Sequence, residues 1–328
     1  MKKPDLRTDN AETDPVFREV VRKLAETTER LSSSEIAAMS LASPEDARLF
    51  REYWAGTTAE RKAAVLGRML ELAEDDPNLE FSPLYLVMLD DEVPAVRVGA
   101  VKGLWENEDP SLIRRLVPLM EDDAESSVRA AAAQALGKFV LLAEHGKIRV
   151  GLRDLLLSRL LDVFQNDCET NEVRRRALES VAYLSCPEVR QAIMDSYDSP
   201  EPSMRSSALF AAGRNLAPEW LELLVDELSS DSPEHRFEAV VACGNYEDEQ
   251  AVPQLIRLTD DPDPEIRLAA ITSLGKIGGP DARSHLRGLT ESADEAVAEM
   301  AEQALQDMVS EDQMLELLQD GRDITGAG

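Results

Sequence analysis

A chain of 328 residues exceeds what one compact hydrophobic core usually serves, so two domains or an elongated stack of units is expected. Aromatic residues make up only 5% of it, too few large rings for the centre of a typical globular enzyme, whereas thin layers of paired helices fill with Ala, Leu and Val. With 64 acidic against 35 basic side chains, a net charge of -29, the surface repels phosphate backbones, which argues against a nucleic-acid partner.

In chain order, the opening MKKPDLRTDNAETD lacks the apolar run of a secretory signal, and residues 1–13 read as a disordered tail. Residues 14–75 hold helical segments, including PVFREVVRKLAETTERL and AERKAAVLGRMLELAED, in poor register; they read as an N-terminal helical cap with room for one degenerate repeat. Residues 76–319 are periodic. An Arg recurs at 97, 129, 174, 205, 236 and 267, with Ala298 in the same place once more. The last four intervals are each 31 residues, preceded by steps of 32 and 45, and a fixed period in this range marks a solenoid. The long step contains KFVLLAEHGKIRVGLRDLLLSRLLDVFQND, so an insertion with longer helices is expected near 138–166. Pro118, inside SLIRRLVPLMED, is expected to kink its helix. DGRDITGAG, residues 320–328, reads as a second disordered tail. No apolar run is long enough to span a bilayer, so the expectation is a cytoplasmic protein without membrane insertion. Cys168, Cys186 and Cys243 are odd in number and lack CxxC spacing, as free thiols in a reducing compartment would.

The residue before each repeated Arg defines position zero. Position four is then Ala throughout: Ala100, Ala132, Ala177, Ala208, Ala239, Ala270 and Ala301. Position seven is always small and position eight apolar, so these spacings share one face of a helix whose small side chains admit close neighbours. A second apolar-periodic stretch precedes each such helix, as in PEWLELLVDELSS and QAVPQLIRLTDD. Asp, Ser and Pro stand between the two and cap the second helix. Gly278-Gly279-Pro280 ends one helix and opens the next.

The stretch DPDPEIRLAAITSLGKIGGPDARSHLRGL resembles the short HEAT-like repeat of the phycobilisome-lyase type, and residues from about 80 to 308 carry the resemblance. It implies an all-α fold: an α-solenoid of stacked antiparallel helix pairs in a right-handed superhelix, most often a scaffold for other proteins. An iron enzyme, deoxyhypusine hydroxylase, is related to this family and presents His-Glu pairs to its metals. Here the histidines stand as His145-Gly146, His235-Arg236 and His285-Leu286, so no such pair is present. HExxH, GxSxG and GKS/GKT strings are likewise missing. Ser273-Leu274-Gly275-Lys276 satisfies SxxK, yet Leu136-Gly137-Lys138 repeats its tail at the same helix position behind Ala135, which favours packing over catalysis. His235 takes a position that is Val, Ile or Met in the other repeats, and reads as a satisfied core residue. The clusters Asp90-Asp91-Glu92, Glu121-Asp122-Asp123 and Asp260-Asp261 precede a repeated Arg; they read as caps at helix N-termini, able to pair with Arg97, Arg129 or Arg267 as a ladder. No catalytic residue, cofactor or metal site is therefore assigned.

The resemblance places the second helix of each pair on the concave side, and positions two, six and ten face away from the core. Read in order, they place Phe210, Phe237, Val241 and Leu268 as an apolar strip rimmed by Arg214 and Lys276. Two readings stand: the strip packs sideways between helices, or it forms a groove for a helix or an extended peptide. Charge is uneven too. Residues 191–328 carry 29 acidic and 9 basic side chains, while 111–190 carry 12 of each. The middle holds a comparatively basic island that includes Arg149, Arg153, Arg174, Arg175 and Arg176. The acidity fits a basic partner or adaptation to a saline cytoplasm. The preferred reading is a non-catalytic scaffold or adaptor for a partner protein. The runner-up is an accessory, chaperone-type or lyase-like subunit acting on a cofactor-bearing protein.

Overall fold

The computed structural model describes residues 14–26 and 29–308, so the tails expected at 1–13 and 320–328 lie outside the described residues. Every regular element among the described residues is helical, as an all-α solenoid requires. The chain divides into two compact units, one ending at Ala177 and the other starting at Leu178.

The first unit contains α1 (Pro15–Glu26), α2 (Ser33–Ala37), α3 (Pro44–Ala55), α4 (Ala59–Asp75), α5 (Ser82–Met88), α6 (Pro94–Gly103), α7 (Ile113–Asp122), α8 (Ser126–Glu144) and α9 (Val150–Gln165). The boundary falls within α10 (Asn171–Val181). Helices α1, α3 and α5 pack in succession along one row, and α2, α4, α6 and α8 along another. The alternation therefore reaches through residues 14–75, where the sequence register is poor. Around the long step, α8 and α9 have 19 and 16 residues against 10 in each of α6 and α7, so the extra residues lengthen helices. Pro118 sits inside α7, where its missing N–H leaves one carbonyl of the helix without its usual donor.

The second unit continues with α11 (Pro187–Tyr197), α12 (Pro202–Asn215), α13 (Trp220–Glu227), α14 (Pro233–Tyr246), α15 (Val252–Leu258), α16 (Pro264–Ile277), α17 (Gly279–Leu289) and a helix over 295–308. Here α12, α14 and α16 pack in succession, and α11, α13 and α15 each pair with the helix that follows. Local chemistry sets the starts. Pro202, Pro233 and Pro264 each open a helix where no N–H is needed, and the Ser232 and Asp263 side chains accept from the N–H groups of His235 and Glu265. The ends are costlier. Leu216 and Glu247 terminate α12 and α14 at φ 54° and 52°, a left-handed conformation that costs a residue with a Cβ about 1–2 kcal/mol.

Position four of every repeat, Ala100 to Ala301, is at most 1% exposed. Position eight is buried from Leu104 to Leu274, whereas Leu305 on the last described helix is only half-buried. In the last three repeats the small residue at position seven, Ala242, Ser273 or Ala304, has a specific partner, a Gly at position nine of the preceding repeat. A Cβ added to Gly213 would lie 2.6 Å from that of Ala242, and one on Gly275 would lie 2.8 Å from that of Ala304. Gly244 stands in the same relation to Ser273. The second-row helices of this unit thus approach to backbone contact, closer than two ordinary side chains allow.

Candidate partner-binding surface

The turns between paired helices are fixed by the repeated arginines. Arg97 donates through Nε and Nη2 to the two Asp123 oxygens, both at 2.7 Å, and through Nη1 to the Asp91 carbonyl at 2.7 Å. Arg129 repeats this with Glu169 at 2.6 and 2.8 Å and with the Asp123 carbonyl. Arg236 does so with Asp261 at 2.9 and 3.2 Å and with the Ser230 carbonyl. Arg267 reaches the Asp261 carbonyl and lies 3.6 Å from Asp294. Each guanidinium therefore binds the turn before its own helix and the turn of the next layer. A ladder is present with partly different partners from those the acidic clusters suggest: Asp123 serves Arg97 and Asp261 serves Arg236, while Arg129 and Arg267 turn to Glu169 and Asp294; Asp91, Asp123 and Asp261 also accept from the N–H two residues on. Burial acts to raise the Asp123 pKa; the bond from Arg97 and that from the Glu125 N–H outweigh it and hold the carboxyl below its usual range.

Other layers depart from the rule. Lys62 takes the arginine's place in α4, donating to Asp91 at 2.7 Å beside the Trp54 indole N–H, also at 2.7 Å. In the second unit, Arg205 donates to Glu227 at 3.1 Å. Glu227 is buried in α13 and also accepts from the Tyr197 hydroxyl at 2.6 Å. Burial, then the facing Glu227, push the Tyr197 hydroxyl above its ordinary pKa, so it stays a donor. His235 is 5% exposed, with Nε2 3.3 Å from the Pro202 carbonyl and Nδ1 3.9 Å from Glu227, which is the setting of a core histidine. His285 is elsewhere, 2.9 Å from the Thr259 hydroxyl, and burial lowers its pKa.

On this frame lie the side chains that the sequence singles out. Phe210, Phe237, Val241 and Leu268 are all half-buried, on α12, α14 and α16 respectively. Arg214 is exposed and lays its guanidinium 5.0 Å from the Phe210 ring centre and 5.9 Å from that of Tyr183. Lys276 is exposed and donates to the Asn245 side chain at 3.2 Å, while Asn245 donates to the Gly213 carbonyl at 3.3 Å. Beside Phe237, between the first turns of α14 and α16, a cleft of about 280 Å³ opens over Phe237 and Ile266, with Glu234, Glu238, Asp263 and Glu265 at its rim. The sequence places Phe237 on this face but gives no sign of the cleft, which depends on the gap between two helices.

The basic residues 149–176 are mostly engaged locally. Arg149 precedes α9, and Arg153 lies 3.6 Å from Asp154. Arg174 donates to the Phe164 carbonyl and lies 3.4 Å from Asp167, both of them before its own helix. Arg175 and Arg176 both bond Glu172. Of the SxxK string, Ser273 is buried and donates to the Val240 carbonyl at 2.9 Å, so its hydroxyl is spent on packing. Position ten ties the layers elsewhere too: Lys138 Nζ donates to the carbonyls of Leu104, Trp105 and Asn107 at 3.0, 2.7 and 2.6 Å. Burial brings its pKa down to about 8.

The model of the HEAT-repeat family matches residues 82–149 and 221–306. No curated protein matches the chain. Among solved structures, the complex of CpcE and CpcF of phycocyanin lyase from Nostoc sp. PCC7120 is similar at 18% identity, covering 69% of this chain and 94% of that one, with a TM-score of 0.47. Human deoxyhypusine hydroxylase in complex with glycerol is similar at 18% identity over 85% of this chain and 97% of that one, with a TM-score of 0.35. A designed armadillo repeat protein in complex with the peptide (KR)4 is similar at 19% identity over 60% and 99%, with a TM-score of 0.39. Among the described residues, no helix is long and apolar enough to cross a membrane.

Proposed function

We propose that this chain, a HEAT-like repeat protein, is a non-catalytic scaffold or adaptor that holds a partner protein on the second-row surface of its second unit. The observation that carries the reading is the contrast within α12, α14 and α16. Positions zero, four and eight are closed to solvent, while Phe210, Phe237, Val241 and Leu268 stay half-open on successive helices. Apolar side chains kept partly wet in a repeated register are what an interaction face needs, and a stack of rigid layers holds them in fixed geometry. Arg214 and Lys276 are the polar rim of this face, and the basic residues Arg149 and Arg153 are a second contact for an acidic segment. Arg174, Arg175 and Arg176 contribute less there, since their guanidinium groups are already engaged with Phe164, Asp167 and Glu172.

The test is affinity capture from the native source followed by mass spectrometry. A polypeptide retained in stoichiometric amount by the wild type should be lost on Phe237→Asp, with the helical circular-dichroism signal and the melting temperature unchanged. Retention by that variant overturns the reading. Should Phe237→Asp lower the melting temperature, Arg214→Glu on the exposed rim asks the same question at the smaller cost of its ring contacts with Phe210 and Tyr183. A chromophore co-purifying with the chain, seen as near-ultraviolet or visible absorbance, would point instead to the accessory, lyase-like role.

A further inference from the structure

We infer that the cleft beside Phe237 receives a lysine or arginine side chain from an extended basic segment of the partner protein; this rests on the scaffold reading and names the partner's chemistry. The cleft is amphipathic in a particular way. Its apolar lining is Phe237, with Ile266 buried behind, and its acidic lining is Glu234, Glu238, Asp263 and Glu265. No basic side chain lines it. The cations nearest in sequence are committed elsewhere, Arg236 to Asp261 and Arg267 to Asp294 and the Asp261 carbonyl.

Helix ends do not cancel this charge. The cleft adjoins the N-termini of α14 and α16, each equivalent to roughly half a positive charge. Against the three carboxylates of Glu234, Asp263 and Glu265 they leave a local excess of about two negative charges. Glu234 is moreover held as the anion, since the Ser232 hydroxyl and its own backbone N–H keep its pKa below the ordinary range. The apolar lining discriminates among cations. A hydrated metal ion has no apolar stem to bury, whereas a lysine or arginine lays its aliphatic stem on the half-buried Phe237 ring and turns its charged head to the rim. The volume, about 280 Å³, suits one long side chain and falls below the usual range of cofactor pockets. The surroundings have the same sign: residues 191–328 carry 29 acidic against 9 basic side chains, a field that draws a basic segment in and speeds its encounter.

The experiment is fluorescence anisotropy of the full chain with a labelled octapeptide of alternating Arg and Ser, and with its Glu-Ser counterpart. Saturable binding of the first, weakened by added salt, with none of the second, is expected. Glu234→Gln/Glu265→Gln and, separately, Phe237→Ala should each weaken it by about fivefold or more, as losing a cation–ring contact or its flanking charges predicts. Glu222→Gln/Asp226→Asn removes the same charge from α13 and should change affinity less than about twofold, as exposed charges distant from the ligand do. Equal weakening by the two double variants would reduce the effect to general acidity and overturn the cleft. Absence of peptide binding, in a protein that still loses its native partner on Phe237→Asp, would sink the basic-segment assignment and leave the scaffold standing. Loss of neither would sink both.

Discussion

Gly213 and Ala242 meet across α12 and α14 with no room for a methyl group: a Cβ on Gly213 would lie 2.6 Å from the Ala242 Cβ and 2.8 Å from its Cα. Two opposed effects act on Gly213→Ala. Alanine favours a helix interior over glycine by about 1 kcal/mol. Overpacking costs about 1–3 kcal/mol and is at its worst where the obstacle is backbone, which no rotamer change relieves. The clash should win, and the unfolding midpoint in urea should fall. Gly67, in the interior of α4 with nothing within 4 Å of its added Cβ, is the control; Gly67→Ala should raise the midpoint.

The ladder sets up a second expectation. Arg236 and Asp261 are 13% and 4% exposed in their side chains and bonded through two oxygens. Arg236→Ala leaves the Asp261 carboxylate buried without its cation, which costs about 3–5 kcal/mol in such pairs. Arg236→Ala/Asp261→Ala should cost less than the sum of the two single changes. Arg205→Ala should be milder, because Tyr197 still donates to Glu227. A double-mutant cycle by chemical denaturation reads the coupling, and strict additivity would contradict it.

How far these relationships can be read in the sequence differs from residue to residue. Alanine at position four and small residues at position seven are legible because close packing tolerates nothing larger. The glycines at position nine, Gly213, Gly244 and Gly275, recur with the same period, a signal that becomes meaningful once the facing residue is known. Asp261 follows Arg236 by 25 residues and Asp123 follows Arg97 by 26, a spacing open to inspection. Glu169 follows Arg129 by 40, because the lengthened α8 and α9 intervene. Glu227 gives no such cue: Ser230 stands where the ladder acid would be, and the substitute comes from inside α13. Residues 14–75 hide their two-row packing because Lys62 replaces the arginine and α2 has only 5 residues. At the surface, periodicity puts Phe237 on its face, but the cleft beside it arises from the spacing of α14 and α16.

Acid should weaken the first unit through Glu169. The Arg129 bond, the largest influence, outweighs burial and holds this carboxyl below the ordinary glutamate value. Its folded pKa is thus depressed relative to the unfolded chain, so the stabilisation is present above about pH 4.3. It is lost as pH falls from there through the depressed value. Arg129→Met should flatten that part of the stability curve, besides lowering stability at neutral pH. Equilibrium denaturation of both proteins between neutral and acid pH checks it, and parallel curves would show that the pair contributes no pH dependence.

Thiol chemistry separates the three cysteines by burial. Cys168 is exposed, Cys186 is half-buried and Cys243 is buried at position eight of its repeat. The thiolate is the reactive form, and burial drives its population down. Burial pushes the Cys243 thiol up to about 12 and also raises that of Cys186, where the Val189 N–H only partly offsets it. A thiol reagent at mildly alkaline pH should therefore label Cys168 first and Cys186 more slowly. Cys243 should react only as fast as the second unit opens, so urea below the unfolding midpoint should accelerate its labelling far more than that of Cys168. Cys243→Ala would leave a small cavity and lower stability by about 1 kcal/mol, whereas Cys168→Ala should leave it unchanged within about 0.5 kcal/mol. Peptide mapping of the labelled protein over time distinguishes the sites. Early modification of Cys243 in native buffer would show that α14 does not stay closed against its neighbours, and with it the close helix approach built on Gly213 and Gly244 would fail.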